Sequence, residues 1–158
     1  MKTLITTGTI AQNRKARFNY TILETVEAGI VLTGGEVKSL RAGHASIRES
    51  YASFEKGELF LINASILPYA ASKGGFVQQH DNRPRKLLLT KKEMNKLMGL
   101  IERKGHTLIP LELYFNARGL AKVKLALAQG KTHSDKRETI KKRDWDKQKQ
   151  RILSFKNK

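Results

Sequence analysis

The sequence predicts a small antiparallel domain of strands and flanking helices, with a basic tail appended. Three features carry this. Apolar residues recur at every second position through several short segments, the spacing of a half-buried strand. Turn residues join these segments as hairpins, without the strand–helix–strand units of a parallel sheet. The last 29 residues, 130–158, hold 11 Lys or Arg against 4 acids, a net +7. Only Ile140, Trp145, Ile152, Leu153 and Phe155 are clearly apolar there, too few to bury a core.

Residues 1–12 are polar and carry one charge, Lys2, so they read as a loose N-terminus. Asn13-Arg14-Lys15-Ala16-Arg17 is a short basic stretch. Tyr20, Ile22, Val26, Ala28, Ile30 and Leu32 then fall on even positions. That gives two strands, or one bent at Ala28-Gly29. Thr33-Gly34-Gly35 breaks the pattern. A short helix follows, with Val37 and Leu40 on one face and Gly43 placed to end it. Segments 51–54 and 59–67 flank Glu55-Lys56-Gly57-Glu58, a hairpin signal.

Segment 68–86 lacks periodicity, contains Gly74-Gly75 and carries Lys73, Arg83, Arg85 and Lys86, so it reads as a long basic loop. Thr90 and Glu93 have capping-box spacing. Met94, Leu97, Met98 and Ile101 form a helical stripe that reads as core filling, and Gly105 stops it. Ile109, Leu111, Leu113 and Phe115 alternate, residues 116–119 turn the chain, and Val123, Leu125 and Leu127 alternate again. The total is about six strands and two helices. A closed barrel would remove the sheet edges, but periodicity does not establish closure.

The whole chain of 158 residues has net charge +17 and a pI of about 10.3, so both body and tail are basic. Such a charge favours a polyanion, because neutralised phosphates release counterions. Nucleic acid is the first expectation; an anionic membrane is second on charge alone. Cysteine is absent, which excludes disulfides and thiolate metal sites and is compatible with a reducing cytoplasm. Residues 1–11 lack the apolar run of a secretory signal, and no segment approaches the roughly 20 apolar residues of a membrane span. A soluble intracellular protein is expected.

Catalytic patterns are missing. His44, His80, His106 and His133 are separated by 36, 26 and 27 residues, so no metal-ligand spacing exists. Gly130-Lys131-Thr132 resembles the end of a phosphate-binding loop, but Leu125 stands where that loop needs its first Gly. No nucleophile motif, metal site or cofactor site emerges, and no enzyme is indicated.

Several stretches together resemble one family. They are Asn13-Arg14-Lys15-Ala16-Arg17-Phe18, Glu27-Ala28-Gly29-Ile30-Val31-Leu32, Gly35-Glu36-Val37-Lys38-Ser39-Leu40-Arg41 and Arg85-Lys86-Leu87-Leu88-Leu89. Lys122-Val123-Lys124, Asp135-Lys136-Arg137 and Arg143-Asp144-Trp145 continue the series in order. The chain resembles the small protein B, or SsrA-binding, family over residues 13–151. The resemblance implies a mainly β fold with flanking helices: an OB-like antiparallel β-barrel over 1–131 and a basic tail over 132–158. That tail is implied to be disordered in isolation and helical on the ribosome.

The resemblance also implies a non-enzymatic adaptor that binds the tRNA-like domain of transfer-messenger RNA and rescues stalled ribosomes. The body is implied to stand where an anticodon arm would, with the tail in the empty decoding site and mRNA channel. Alanyl-tRNA synthetase and elongation factor Tu are implied to act through the RNA. RNA-face positions of the family map to Phe18, Glu27, Leu88 and Thr90. Phe18 either stacks on a base or fills the core; Glu27 either accepts from a base amino group or is solvated. Arg85 and Lys86 are candidate phosphate contacts, and Lys38 and Arg41 are either phosphate ligands or solvated helix charges. Lys122 and Lys124 alternate with Val123 and Leu125, so they share an outer face and form a phosphate track.

Two positions depart from the family pattern. Thr90 stands where Asn or His is frequent, and its capping role accounts for it. Ser134 stands where His or Tyr commonly precedes Asp135-Lys136-Arg137; either His133 takes that stacking role or Ser134 caps a tail helix. Lys141, Arg143 and Trp145 complete the implied ribosome-binding set, with Trp145 suited to stacking. A basic membrane-surface or scaffold module would instead bind anionic vesicles as strongly as RNA, and a nuclease would cleave RNA with a divalent ion.

Overall fold

Hairpins build the sheet, as the alternation requires. The computed structural model describes residues 4–68, 82–102 and 106–130, together with Arg143. One antiparallel sheet runs in the order β1 (Gly8–Gln12), β8 (His106–Phe115), β4 (Tyr51–Glu55), β5 (Glu58–Ile62), β7 (Arg85–Leu88), β2 (Tyr20–Ile30) and β9 (Ala121–Gly130). Because β9 also pairs with β8, the sheet closes a ring. The fold is therefore mainly β and OB-like. A two-stranded ribbon, β3 (Ala45–Ser46) with β6 (Ser65–Ile66), lies beside it. The helices are α1 (Ala16–Asn19), α2 (Gly34–Arg41) and α3 (Lys91–Ile101).

The N-terminus is not loose throughout: β1 pairs with β8. The basic segment before α3 ends as β7, a strand between β5 and β2. Gly74-Gly75 and Gly105 lie outside the described residues. At the β4–β5 turn Lys56 and Gly57 have φ of 52° and 80°, the left-handed pair of a tight hairpin.

Two bulges split alternations that look single-faced in sequence. The β2–β9 register slips between Ile22 and Glu24, and the β8–β9 register slips between Pro110 and Glu112. One extra residue moves every later side chain to the opposite face. Leu108, Leu113 and Phe115 thus enter the main core with Leu125, Leu127, Leu59, Leu61 and Leu87. Ile109 and Leu111 instead meet Ala16, Ala126 and Ala128 in a second cluster beneath α1. The sequence reading placed Ile109 and Leu111 on one face with Leu113 and Phe115; the bulge separates them.

Leu97, with Met94 and Ile101 against it, fixes α3 to the main core, and Leu40 fixes α2. Both helices are capped by threonine. Thr33 and Glu36 form a reciprocal capping box on α2. Thr90 accepts from the Glu93 amide at 3.2 Å, and its hydroxyl donates to the Glu93 side chain rather than leaving that carboxylate to bond the Thr90 amide. The α3 cap is therefore half of the expected box.

Glu36 also holds the one buried ion network among the described residues. Arg85 is fully buried, and its Nε donates to Glu36 Oε2 at 2.5 Å. Its Nη1 donates to the Ala64 carbonyl at 2.8 Å. Arg83 donates to the other Glu36 oxygen. Burial alone would raise the Glu36 carboxyl; bonds from Arg83, the Thr33 amide and Arg85 outweigh it and hold the group below its ordinary value. This corrects the reading of Arg85 as an RNA-facing cation. It shares parity with buried Leu87, while Lys86 and Leu88 point outward.

Candidate nucleic-acid interface

Strand pairing assembles one outer face from residues distant in sequence. Gly29 on β2 lies opposite Leu88 on β7 and Lys122 on β9. Lys122 lies opposite Tyr114 on β8, which lies opposite Thr9 on β1. The next rank runs Glu27, Lys124, Glu112 and Gln12 across the same strands. The Val31 amide donates to the Lys86 carbonyl at 2.9 Å, extending the face at the β7 side.

Each member has a definite chemistry. Leu88 is 51% exposed, an apolar side chain held outward by its strand parity. Gly29 leaves bare backbone beside it: a Cβ there would lie 3.3 Å from the Leu88 Cβ and 3.8 Å from the Lys122 ammonium. Lys122 and Lys124 form no ion pair among the described residues, so both cations remain available to an anion. Lys86 pairs with Glu58 at 3.2 Å, an exposed bridge weak enough for a phosphate to displace.

Tyr114, missed in the sequence, donates its hydroxyl to Glu27 Oε2. Burial, then the Glu27 carboxylate, push this phenol well above its ordinary value, so it stays a proton donor. The turn at 116–119 held the signal: it sets Phe115 opposite Ala121, and so Tyr114 opposite Lys122. Thr9 donates to Glu112 at 2.5 Å in the neighbouring rank.

The face continues into a hollow of about 300 Å³ lined by Gln12, Asn13, Arg14, Arg17, Leu111, Glu112 and Lys124. The basic stretch before α1 thereby joins the lysine ranks. Phe18 follows Arg17 in the chain and is half-buried, with the Arg143 guanidinium 5.7 Å from its ring centroid. Thr90 is exposed, but its hydroxyl is engaged in the α3 cap. Lys38 and Arg41 lie exposed on α2, outside the strand ranks. His133, Ser134, Asp135, Lys136, Arg137, Lys141 and Trp145 lie outside the described residues.

A larger cleft of about 1150 Å³ opens between β1, α1 and the turn before β4, with Arg14, Lys15, Arg48, Glu49, Tyr20 and Tyr51 on its walls. Among the described residues no group of three metal-ligating side chains occurs, and no helix is long and apolar enough to cross a membrane.

A family model described as SmpB protein matches residues 10–155, a span that includes every strand of the outer face except the start of β1. The chain belongs to the SmpB family. The SsrA-binding protein of Rhodopseudomonas palustris strain HaA2 is 60% identical over 144 residues, covering 91% of this chain and 90% of that protein. The SsrA-binding protein of Brucella canis strain ATCC 23365 / NCTC 10854 / RM-666 is 58% identical with the same coverage. A solved chain described under "tmRNA-SmpB: a journey to the center of the bacterial ribosome" aligns with TM-score 0.64 and 52% identity. It covers 82% of this SmpB-family chain and 92% of the solved one.

Proposed function

We propose that this SmpB-family protein is a non-enzymatic RNA-binding adaptor for transfer-messenger RNA on stalled ribosomes. The observation that carries it is the outer face: Leu88, bare Gly29, the anchored Glu27 carboxylate, and Lys122 and Lys124, which form no ion pair among the described residues, converge from three strands. Lysines neutralise phosphates, an apolar platform receives a base or ribose face, and a carboxylate accepts from base amino groups. Relatives named for SsrA binding and a relative solved with transfer-messenger RNA support the choice of RNA.

In this reading residues 1–131 hold the tRNA-like domain in the place of an anticodon arm. Residues 132–158 probe the vacant decoding site and mRNA channel through Lys136, Arg137, Lys141, Arg143 and Trp145. Alanyl-tRNA synthetase and elongation factor Tu meet the complex through the RNA, and the protein works in the cytoplasm. Sequencing RNA that copurifies with the full chain tests this. Enrichment of transfer-messenger RNA over tRNA is expected. Indiscriminate RNA, or stronger binding to anionic vesicles, contradicts it.

A further inference from the structure

We infer that the Glu27–Tyr114 pair reads the Watson–Crick edge of an unpaired guanine, with Tyr114 as the residue that positions the reader. The inference deepens the RNA-adaptor reading and rests on it. Glu27 is exposed at the centre of the outer face, between Lys124 on its own rank and Lys122 on the next. A free glutamate side chain there would sample many rotamers and give poor selectivity. Tyr114 removes that freedom by donating to Oε2.

A carboxylate has two oxygens and about four acceptor sites, so the Tyr114 bond leaves both oxygens able to accept. The anchored group therefore presents acceptors and no donor. Guanine alone places two adjacent donors, N1–H and N2–H, on one base edge. Adenine and cytosine offer one donor beside a lone-pair nitrogen, which a carboxylate repels. Uracil offers N3–H between two carbonyls, which repel it more. Flanking features suit an unpaired nucleotide: Lys122 and Lys124 take phosphates, while Leu88 and the Gly29 backbone offer an apolar rest. Glu55, exposed at the β4–β5 hairpin outside these ranks, serves as an internal contrast.

The test uses the full chain and short single-stranded RNA probes that differ at one central base: guanine, inosine, adenine or uracil. Inosine keeps N1–H and lacks the N2 amino group. Bidentate base contacts are worth about 1–3 kcal/mol, so the wild type should bind guanine roughly tenfold more tightly than inosine and uracil least. Tyr114→Phe keeps the ring and should bring the guanine-to-inosine ratio below about threefold with an unchanged melting temperature. Glu27→Gln presents one donor and one acceptor and should shift the preference from guanine to adenine. Glu55→Gln, at the β4–β5 hairpin outside the strand ranks, should keep the guanine preference.

Equal guanine and inosine affinities in the wild type would overturn the inference. So would a Tyr114→Phe protein that keeps the full ratio. Binding of the tRNA-like domain is measured in parallel. If that RNA is bound and the ratio is flat, guanine reading fails while the adaptor reading stands. If the ratio holds and the tRNA-like domain is not bound, the adaptor reading fails.

Discussion

Gly29 matters for what it lacks. Its backbone lies under Leu88 and the Lys122 ammonium, and a built Cβ would crowd Leu88 at 3.3 Å. Gly29→Val suits a strand backbone but fills this space and displaces both neighbours. We expect RNA affinity to drop by about tenfold, comparable to losing one good contact of about 1.4 kcal/mol, with the melting temperature kept. A gel shift beside thermal unfolding checks this; full affinity in Gly29→Val would remove Gly29 from the interface. Lys122→Ala should lower the magnitude of the log–log salt slope by about 0.7–0.9, the signature of one lost phosphate contact. Lys122 and Lys124 were legible because they alternate with Val123 and Leu125, whereas Glu27 and Leu88 were indicated by the family resemblance alone. Tyr114 was not, because its link to Glu27 is a cross-sheet contact between residues 87 apart. Arg85 misled as a loop cation until its parity with Leu87 placed it inside.

At the scale of elements, Glu36 ties α2 to β7 and so sets the strand that carries Leu88. Glu36→Gln keeps the shape and the capping acceptor but strands the buried Arg85 charge, which should cost about 3–5 kcal/mol of stability. Replacing Glu36 and Arg85 together with apolar residues should cost much less, since no buried charge is left unpaired. Equal losses in the single and double variants would show that the ion network is not what Glu36 supplies. Because the folded carboxyl is held below its ordinary value of 4.5, its contribution is present above that pH. It is lost as pH falls through the folded value. Chemical denaturation from pH 7 to pH 3 should therefore show an acid loss in the wild type that Glu36→Gln lacks. Thr90→Ala should cost about 1 kcal/mol by uncapping α3 and leave RNA affinity unchanged. Element types followed from alternation and caps, while the bulges in β2 and β8 did not. A bulge depends on which residue faces which across the pair, and one strand's sequence does not state that.

For the whole molecule, ring closure brings β1, β2, β7, β8 and β9 into one surface, although their residues span positions 8 to 130. Net charge announced a polyanion at once, because +17 is a property of composition. Where that charge faces is a property of pairing, and two basic regions compete: the strand ranks and the larger cleft bearing Arg14, Arg48 and Tyr51. The body and the basic tail should fail separately. Replacing Lys136 and Arg137 with Ala should leave tRNA-like-domain binding within about twofold, as the residues of the outer face all precede Gly130 in sequence, and abolish peptide tagging in a reconstituted stalled-translation reaction. Normal tagging would show that these tail cations are dispensable. The most direct measurement is ultraviolet cross-linking of the full chain to the tRNA-like domain, with the joined peptides identified by mass spectrometry. The adaptor account predicts cross-links at Tyr114, Leu88 and Lys122. Cross-links confined to Arg48 and Tyr51 in the cleft would contradict it.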